Sequence, residues 1–212
     1  MASPSSQVTP LVYVVDDDVS VRESLELLLK HAGWDVRMFE SAEEFLACPP
    51  VSTASCLVLD VSLPQLNGLE LQKRLANRTG MPIIFITGYG DVPMSVQAMK
   101  GGAVEFLTKP LSDEALLSAV SGAIDRSRTS LRQASKERAV LDCYESLTPR
   151  EREVMALVVS GLLNKQVGGE LGISEATVKA HRGQVMRKMK ADSLPDLVTM
   201  AGTLGLNAVP KA

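Results

Sequence analysis

Five short apolar runs, 11–15, 36–39, 56–59, 82–86 and 103–107, punctuate the first 126 residues of this chain. Each is followed by a stretch long enough for a helix. The runs are too short to be helices and largely lack the polar alternation of a half-exposed strand, so they suit strands buried on both faces. In the first intervening stretch Val21, Leu25 and Leu28 recur at helical steps of four and three. Ser41 and Glu44 are spaced as a capping box for a second helix, and Asn67-Gly68 precedes a third. Asp91 with Pro93 opens a fourth, and a fifth begins near Asp113. Strand and helix alternating five times predict an α/β fold, an open parallel sheet wound with helices on both faces.

That pattern is of flavodoxin-like type, and it makes the strand ends informative. Ligands of such sheets bind at the carboxyl edge of the strands. Asp16 and Asp17 follow the first run, Asp60 the third, Thr87 the fourth, and Lys109-Pro110 the fifth. Three carboxylates brought together repel unless a cation sits among them. A set of oxygen ligands suits Mg²⁺. One carboxylate can also be a nucleophile toward phosphorus, and Asp60, alone after its strand, is the candidate. A transferring phosphoryl group spreads charge over three oxygens, which Mg²⁺, Lys109 and the Thr87 hydroxyl could meet. The gaps Asp17–Asp60, Asp60–Thr87 and Thr87–Lys109 are 43, 27 and 22 residues, one or two strand–helix–strand steps each.

Residues 11–126 resemble the CheY-like receiver domain of two-component response regulators. The resemblance is carried by Val14-Val-Asp-Asp-Asp18, Leu59-Asp-Val-Ser-Leu-Pro64 with Asn67-Gly68, Ile86-Thr-Gly88, and Phe106-Leu-Thr-Lys-Pro110. It implies Asp60 as the phosphoacceptor of a sensor histidine kinase. It implies Mg²⁺ held by Asp17 and Asp60, with Asp16 acting through water and Ser62 lending its backbone carbonyl. It implies Thr87 and Lys109 as phosphoryl contacts, a cis peptide before Pro110, and Thr87 and Phe106 as the pair that moves on phosphorylation.

After residue 126 the periodicity turns helical. Residues 127–146 read as a helical linker, either a solvated spacer or a dimer seam in which Leu131, Ala134 and Leu141 share one side. Thr148-Pro149-Arg150-Glu151 combines an N-cap, a first-turn proline and a capping-box glutamate. Val154, Leu157 and Val158 give that helix its apolar face, and Gly161 ends it. Asn164 caps a short helix stopped by Gly172, Ser174 caps the next, and a last helix starts near Ser193. Four short helices with a tight turn between the second and third predict a helix-turn-helix. On a helical wheel of residues 174–190, Val178, Val185 and Met189 face the core, with His181 at its edge. Ala176, Lys179, Ala180, Gly183, Arg187 and Lys190 lie opposite, flanked by Thr177 and Gln184. A face of small and basic residues fits a major groove.

Residues 147–206 resemble the LuxR-type DNA-binding domain through Leu147-Thr-Pro-Arg-Glu-Arg-Glu-Val154, Asn164-Lys165, Leu171-Gly-Ile-Ser174 and Thr177-Val-Lys-Ala-His181. Nearly the whole chain is thus similar to the FixJ/NarL group of transcriptional regulators. The resemblance supports Lys179, Ala180 and Gly183 as groove contacts. Two departures stand out. Gly168-Gly169 occupies positions where the family usually carries Ala or Ile-Ala, and Gly183 replaces a longer side chain. Mid-helix glycines cost about 1 kcal/mol each against Ala, which predicts a softened DNA-binding domain.

Charge is divided in the same way. Residues 1–126 carry 9 Lys and Arg against 16 Asp and Glu, whereas 147–212 carry 9 against 6. An acidic front and a mildly basic back agree with a polyanion at the C-terminal part. Cys48, Cys56 and Cys143 are odd in number and widely spaced, as reduced cytosolic thiols are. The start lacks a signal-peptide pattern and no run approaches a membrane span. The expectation is a cytoplasmic, non-enzymatic DNA-binding regulator that meets a histidine kinase and promoter DNA, with RNA polymerase open as a further partner. It dimerises on phosphorylation through 91–126. Residues 1–10 and 207–212 read as a disordered start and a tail. Two alternatives remain open at this point. One is a haloacid-dehalogenase-like phosphohydrolase using Asp16 and Asp18; the other is a constitutive, unphosphorylated DNA-binding protein.

Overall fold

The computed structural model describes residues 9–75, 80–88 and 92–206. Asp91, residues 1–8 and the 207–212 tail lie outside the described residues. The strands β1 (Leu11–Val15), β2 (Asp35–Phe39), β3 (Ser55–Asp60), β4 (Ile83–Thr87) and β5 (Glu105–Thr108) form one parallel sheet in the order β2-β1-β3-β4-β5. The chain runs outward from β1 to β2, then crosses back to β3 on the other side of β1. That reversal is the switch point at which open α/β sheets hold ligands. Its register sets Val15 beside Leu59. The residues that follow, Asp16 and Asp60, are therefore neighbours at the sheet's carboxyl edge.

The unalternated apolar runs are explained by burial on two sides. Leu11, Tyr13, Val15, Leu57, Leu59, Ile83 and Phe85 join one core, covered by α2 (Ala42–Ala47), α3 (Gly68–Leu75) and α4 (Val92–Lys100). Val12, Val14, Cys56, Val58, Ile84 and Ile86 join the other, covered by α1 (Val19–His31) and α5 (Asp113–Glu145). Asp18 is the N-cap of α1, accepting from the amides of Ser20 and Val21. Ser41 caps α2, but Glu44 reaches back to the amide of Glu40 rather than to its cap residue. The cysteines are free, and burial pushes the Cys56 thiol up to about 12.

The fifth strand begins later than its apolar run. Gly102, at a φ of +92°, turns the chain after α4, and the Ala103 amide still donates to Ala98 of that helix at 3.1 Å. Sheet pairing is taken up only by Val104, whose amide reaches the Ile83 carbonyl at 2.7 Å. The regular strand is thus 105–108 instead of 103–107.

Two compact units divide between Arg132 and Gln133. In the first, α5 buries Leu116, Val120, Ala123, Ile124 and Ser127, and the Ser127 hydroxyl accepts from the Ser55 amide at 3.1 Å. Residues 128–139 of α5 are exposed on every side. In the second unit Val140, Cys143 and Tyr144 pack against the core of α6 (Pro149–Val159), α7 (Asn164–Leu171), α8 (Glu175–Met189) and α9 (Leu194–Thr203). That core is built from Leu147, Val154, Met155, Val158, Val167, Val178, Val185, Met189, Leu197 and Ala201.

Its caps follow the sequence with one exception. Thr148 and Glu151 form the reciprocal box, Ser174 caps α8 and Ser193 caps α9. At α7 the cap is Leu163, whose amide is taken by the Gln166 side chain at 2.8 Å. Asn164 is the first helical residue, and its side chain accepts from Arg182 rather than capping its own helix.

The glycines of α7 are not equivalent, which corrects the expectation that both merely soften the helix. A Cβ at Gly168 would sit 2.7 Å from the Ile173 carbonyl, whereas one at Gly169 would meet nothing within 4 Å. Gly168 lets the turn after α7 fold tightly onto the helix, and Gly169 and Gly183 do nothing comparable. Gly169→Ala and Gly183→Ala are expected each to raise the thermal stability of the C-terminal unit by about 0.5–1 kcal/mol. Gly168→Ala is expected to give no such gain, because its methyl must displace backbone. Calorimetry on the three variants checks this, and equal gains at 168 and 169 would contradict it.

Candidate functional site

Asp16 and Asp60 stand side by side at the ends of β1 and β3, and each is oriented by its own following turn. Asp16 Oδ1 accepts from the Asp18 amide at 2.9 Å, and Asp60 Oδ1 from the Ser62 amide at 2.8 Å. The remaining oxygens, both Oδ2, receive one group: Lys109 Nζ lies 2.7 Å from each. Lys109 follows β5, pinned by its amide to the Thr87 carbonyl at 2.8 Å, and its peptide bond to Pro110 is cis. Asp17 is exposed beside this pair. Carboxylate oxygens of Asp16, Asp17 and Asp60 all lie within 4.8 Å of one another. Thr87 is wholly buried at the end of β4. Phe106 is half-buried on β5, its ring 6.4 Å from that of Phe85.

The floor of the site depends on a glycine. A Cβ at Gly68 would lie 2.5 Å from the Asp60 carbonyl oxygen and 3.1 Å from Phe85. No other residue lets α3 start this close to the end of β3. Arg22, which no spacing singled out, donates from Nη1 to the Asp16 carbonyl at 2.6 Å and steadies the loop that carries both leading carboxylates.

Burial, followed by competing contributions, sets the protonation here. Desolvation pushes the Asp16 carboxyl up, as does the charge of Asp60, against the lowering pull of Lys109 and the Asp18 amide. Burial pulls the Lys109 ammonium down, but its hydrogen bonds and charge pairs with Asp16 and Asp60 outweigh this and raise it. The result is a cation clamped between two buried carboxylates, with a third at the rim. Such a site can hold a hard divalent cation on oxygen ligands and can present a carboxylate to an electrophilic phosphorus. Asp18, which a phosphohydrolase would need in the site, is spent as the cap of α1.

In the second unit, Val178, Val185 and Met189 of α8 are buried and His181 is half-buried. Thr177, Lys179, Ala180, Gly183, Arg187 and Lys190 are exposed, and Gln184 is half-buried. The Thr177 hydroxyl shares a 2.8 Å hydrogen bond with Ser174, and Arg187 donates to Gln184. Lys190 is the left-handed C-cap rather than a helical residue, at φ +55°. Lys188 was missed by the wheel. It reaches the buried Glu151 at 2.6 Å, ties α8 to α6, and with the Thr148 amide holds the Glu151 carboxyl below its usual range.

Comparison with known proteins agrees with this division. Residues 12–121 match the response regulator receiver domain model, and 145–201 the model for bacterial regulatory proteins of the luxR family. The chain is 52% identical over 200 residues to nodulation protein W of Bradyrhizobium diazoefficiens, covering 93% of this chain and 88% of that protein. It is 41% identical over 196 residues to the transcriptional regulatory protein FixJ of the same organism, covering 92% and 96%. Among solved structures, response regulator StyR aligns with a TM-score of 0.82 at 44% identity, over 92% of this chain and 99% of that one. Full-length FixJ from B. japonicum aligns with a TM-score of 0.55 at 42% identity, over 92% and 97%. None of these matches supports the phosphohydrolase reading.

Lys109→Met should expose the electrostatic load on the site. Lys109 has a raised pKa, so its contribution is complete below its ordinary value of 10.5 and lost as the pH rises through the raised one. Near neutral pH the variant is expected to lose about 2 kcal/mol in denaturant unfolding, because two buried carboxylates are left without their shared cation. A carboxyl with a raised folded pKa favours the fold most when protonated. The deficit should therefore shrink as acidification protonates Asp16. A deficit independent of pH would contradict the account.

Proposed function

This chain belongs to the two-component response regulators that join a receiver domain to a LuxR-type DNA-binding domain, and on that premise we propose that Asp60 is its phosphoacceptor. The family consists of transcriptional regulators. The observation that carries the proposal is the meeting of Asp16, Asp17, Asp60 and Lys109 at one point of the sheet edge. An Asp60 carboxylate oxygen attacks the phosphorus of a phosphohistidine on a sensor kinase. A new P–O bond forms, the P–N bond breaks, and the imidazole leaves with its electron pair. Lys109 already donates to Asp60 and so is within reach of an oxygen on a phosphoryl group joined there. The Thr87 hydroxyl meets another, and its displacement is coupled to Phe106.

The donor set of three carboxylates with no soft ligand fits Mg²⁺. Asp17 and Asp60 would hold it directly, with Asp16 through water and the Ser62 carbonyl completing the set. The ion supplies positive charge against the phosphoryl oxygens.

Phosphorylation can change assembly only if it favours one state of a surface over another. We assign that surface to 91–126. Within it α4 exposes Val92, Val96 and Met99, an apolar stripe at steps of four and three. A two-fold dimer formed there would present two α8 helices to the half-sites of promoter DNA, through Thr177, Lys179, Ala180, Gly183, Gln184, Arg187 and Lys190. The working boundaries are 11–126 for the receiver, 127–146 for the linker and 147–206 for the DNA-binding domain. Among the described residues no helix is long and apolar enough to cross a membrane. A cytoplasmic location and RNA polymerase as a partner belong to the same proposal.

Incubation with acetyl phosphate and Mg²⁺ is expected to add one phosphoryl group by intact mass and to shift the chain toward dimers in sedimentation. Asp60→Asn should abolish both. Dimers that form undiminished in Asp60→Asn, or DNA binding indifferent to the phosphodonor, would overturn the proposal and favour a constitutive DNA-binding protein.

A further inference from the structure

The inward stripe of α8 contains a charge. Arg182 lies between Val178 and Val185, one turn from each and about 40° round the helix from Val178. It stands about 100° from the middle of the exposed basic face. An apolar residue would be the ordinary occupant of such a place. Arg182 is half-buried, and its Nη1 donates to Asn164 Oδ1 at 3.1 Å. Asn164 is the first residue of α7, where Leu163 provides no side-chain cap. The Asn164 side chain is thus drawn across to α8 instead of back onto its own helix.

The position of this contact matters more than its strength. The helices α7 and α8 pack on one another and are joined by the tight turn at Gly172. That turn is fixed by backbone: the Ile173 amide donates to the Gly168 carbonyl at 3.0 Å, and a Cβ at Gly168 would crowd the Ile173 carbonyl at 2.7 Å. Away from the turn, Arg182, two turns into α8, and Asn164, at the far end of α7, join the two helices a second time. Val167 of α7 and Val178 of α8 are both fully buried in the core of this unit. Apolar packing is non-directional and tolerates small rotations, whereas a charge-assisted hydrogen bond prefers one distance and angle.

We propose that Arg182 is a positioning residue: with Asn164 it is a strut that sets the opening angle of α7 and α8, and hence how α8 meets base edges. It rests on the proposal that the exposed face of α8 contacts DNA. Loss of the strut would leave the phosphate contacts in place and relax the fit to bases. The effect therefore falls on discrimination between sequences and leaves electrostatic attraction intact.

The test uses the full-length chain and two duplexes, one selected by the wild type from a randomised library and one scrambled. Arg182→Met and Asn164→Ala should each lower the ratio of the two affinities about tenfold, the loss of one charge-assisted hydrogen bond. The double variant should be no worse than either single one, and the slope of log affinity against log salt should stay at its wild-type value. Lys179→Ala is the control for the DNA face: its slope should fall by about one. If Lys179→Ala binds as the wild type does, the DNA face is wrongly assigned. If that control behaves but Arg182→Met loses a unit of slope while Asn164→Ala does not, Arg182 is a direct phosphate contact and the strut is refuted. Unchanged ratios in both single variants also refute it. So does a loss equal on both duplexes that tracks a fall in melting temperature. Should Arg182→Met fail to fold, Asn164→Ala alone decides the matter, since it removes the acceptor from a half-exposed helix start.

Discussion

Two carboxylates that share one ammonium group organise the acidic edge of this protein. Asp16 and Asp60 are brought together by strand register, and they would repel in a buried place. Lys109, arriving from a third strand, spans both at 2.7 Å. The arrangement holds because other elements leave no alternative. The Thr87 carbonyl holds the Lys109 backbone, the Asp18 and Ser62 amides aim the carboxylates, and Gly68 lets α3 close beneath them. Opposing effects meet here: burial and the charge of Asp60 push the Asp16 carboxyl up, while Lys109 and the Asp18 amide pull it down. Any charge brought to this point would act on both carboxylates and on the ammonium group at once.

Much of this was legible because two-sided burial writes itself into composition. Central strands enclosed by helices are apolar throughout, so their ends can be read to within a residue or two, and the polar residues that follow are easily counted. The helix caps were legible for a similar reason: Ser41, Thr148, Ser174 and Ser193 each have an acceptor at the one place where free amides need it. The wheel of α8 also separated its buried from its exposed residues, since that helix has one flank against a core.

What was not legible depended on contacts between segments distant in the chain. The start of β5 lies later than its apolar run because Ala103 fills the core on one sheet face while its amide is still bonded to Ala98 of α4. Asn164 carries the signature of a cap, but its oxygen is claimed by a residue 18 positions away. Gly168 and Gly169 look alike in sequence, and only the path of the Ile173 carbonyl tells them apart. Arg22 and Lys188 bear no spacing to the groups they serve, since backbone carbonyls and cross-helix carboxylates leave no periodic trace.

The central claim is that the acyl phosphate forms on one named carboxylate. Borohydride reduces an acyl phosphate to the alcohol, which turns the aspartate concerned into homoserine. After treatment with acetyl phosphate and Mg²⁺, peptide mapping of the reduced chain should find homoserine at position 60 and nowhere else, and none when the metal is chelated. Homoserine at position 16, 17 or 18, or an unmodified position 60 in a chain that has gained a phosphoryl group, would contradict the account.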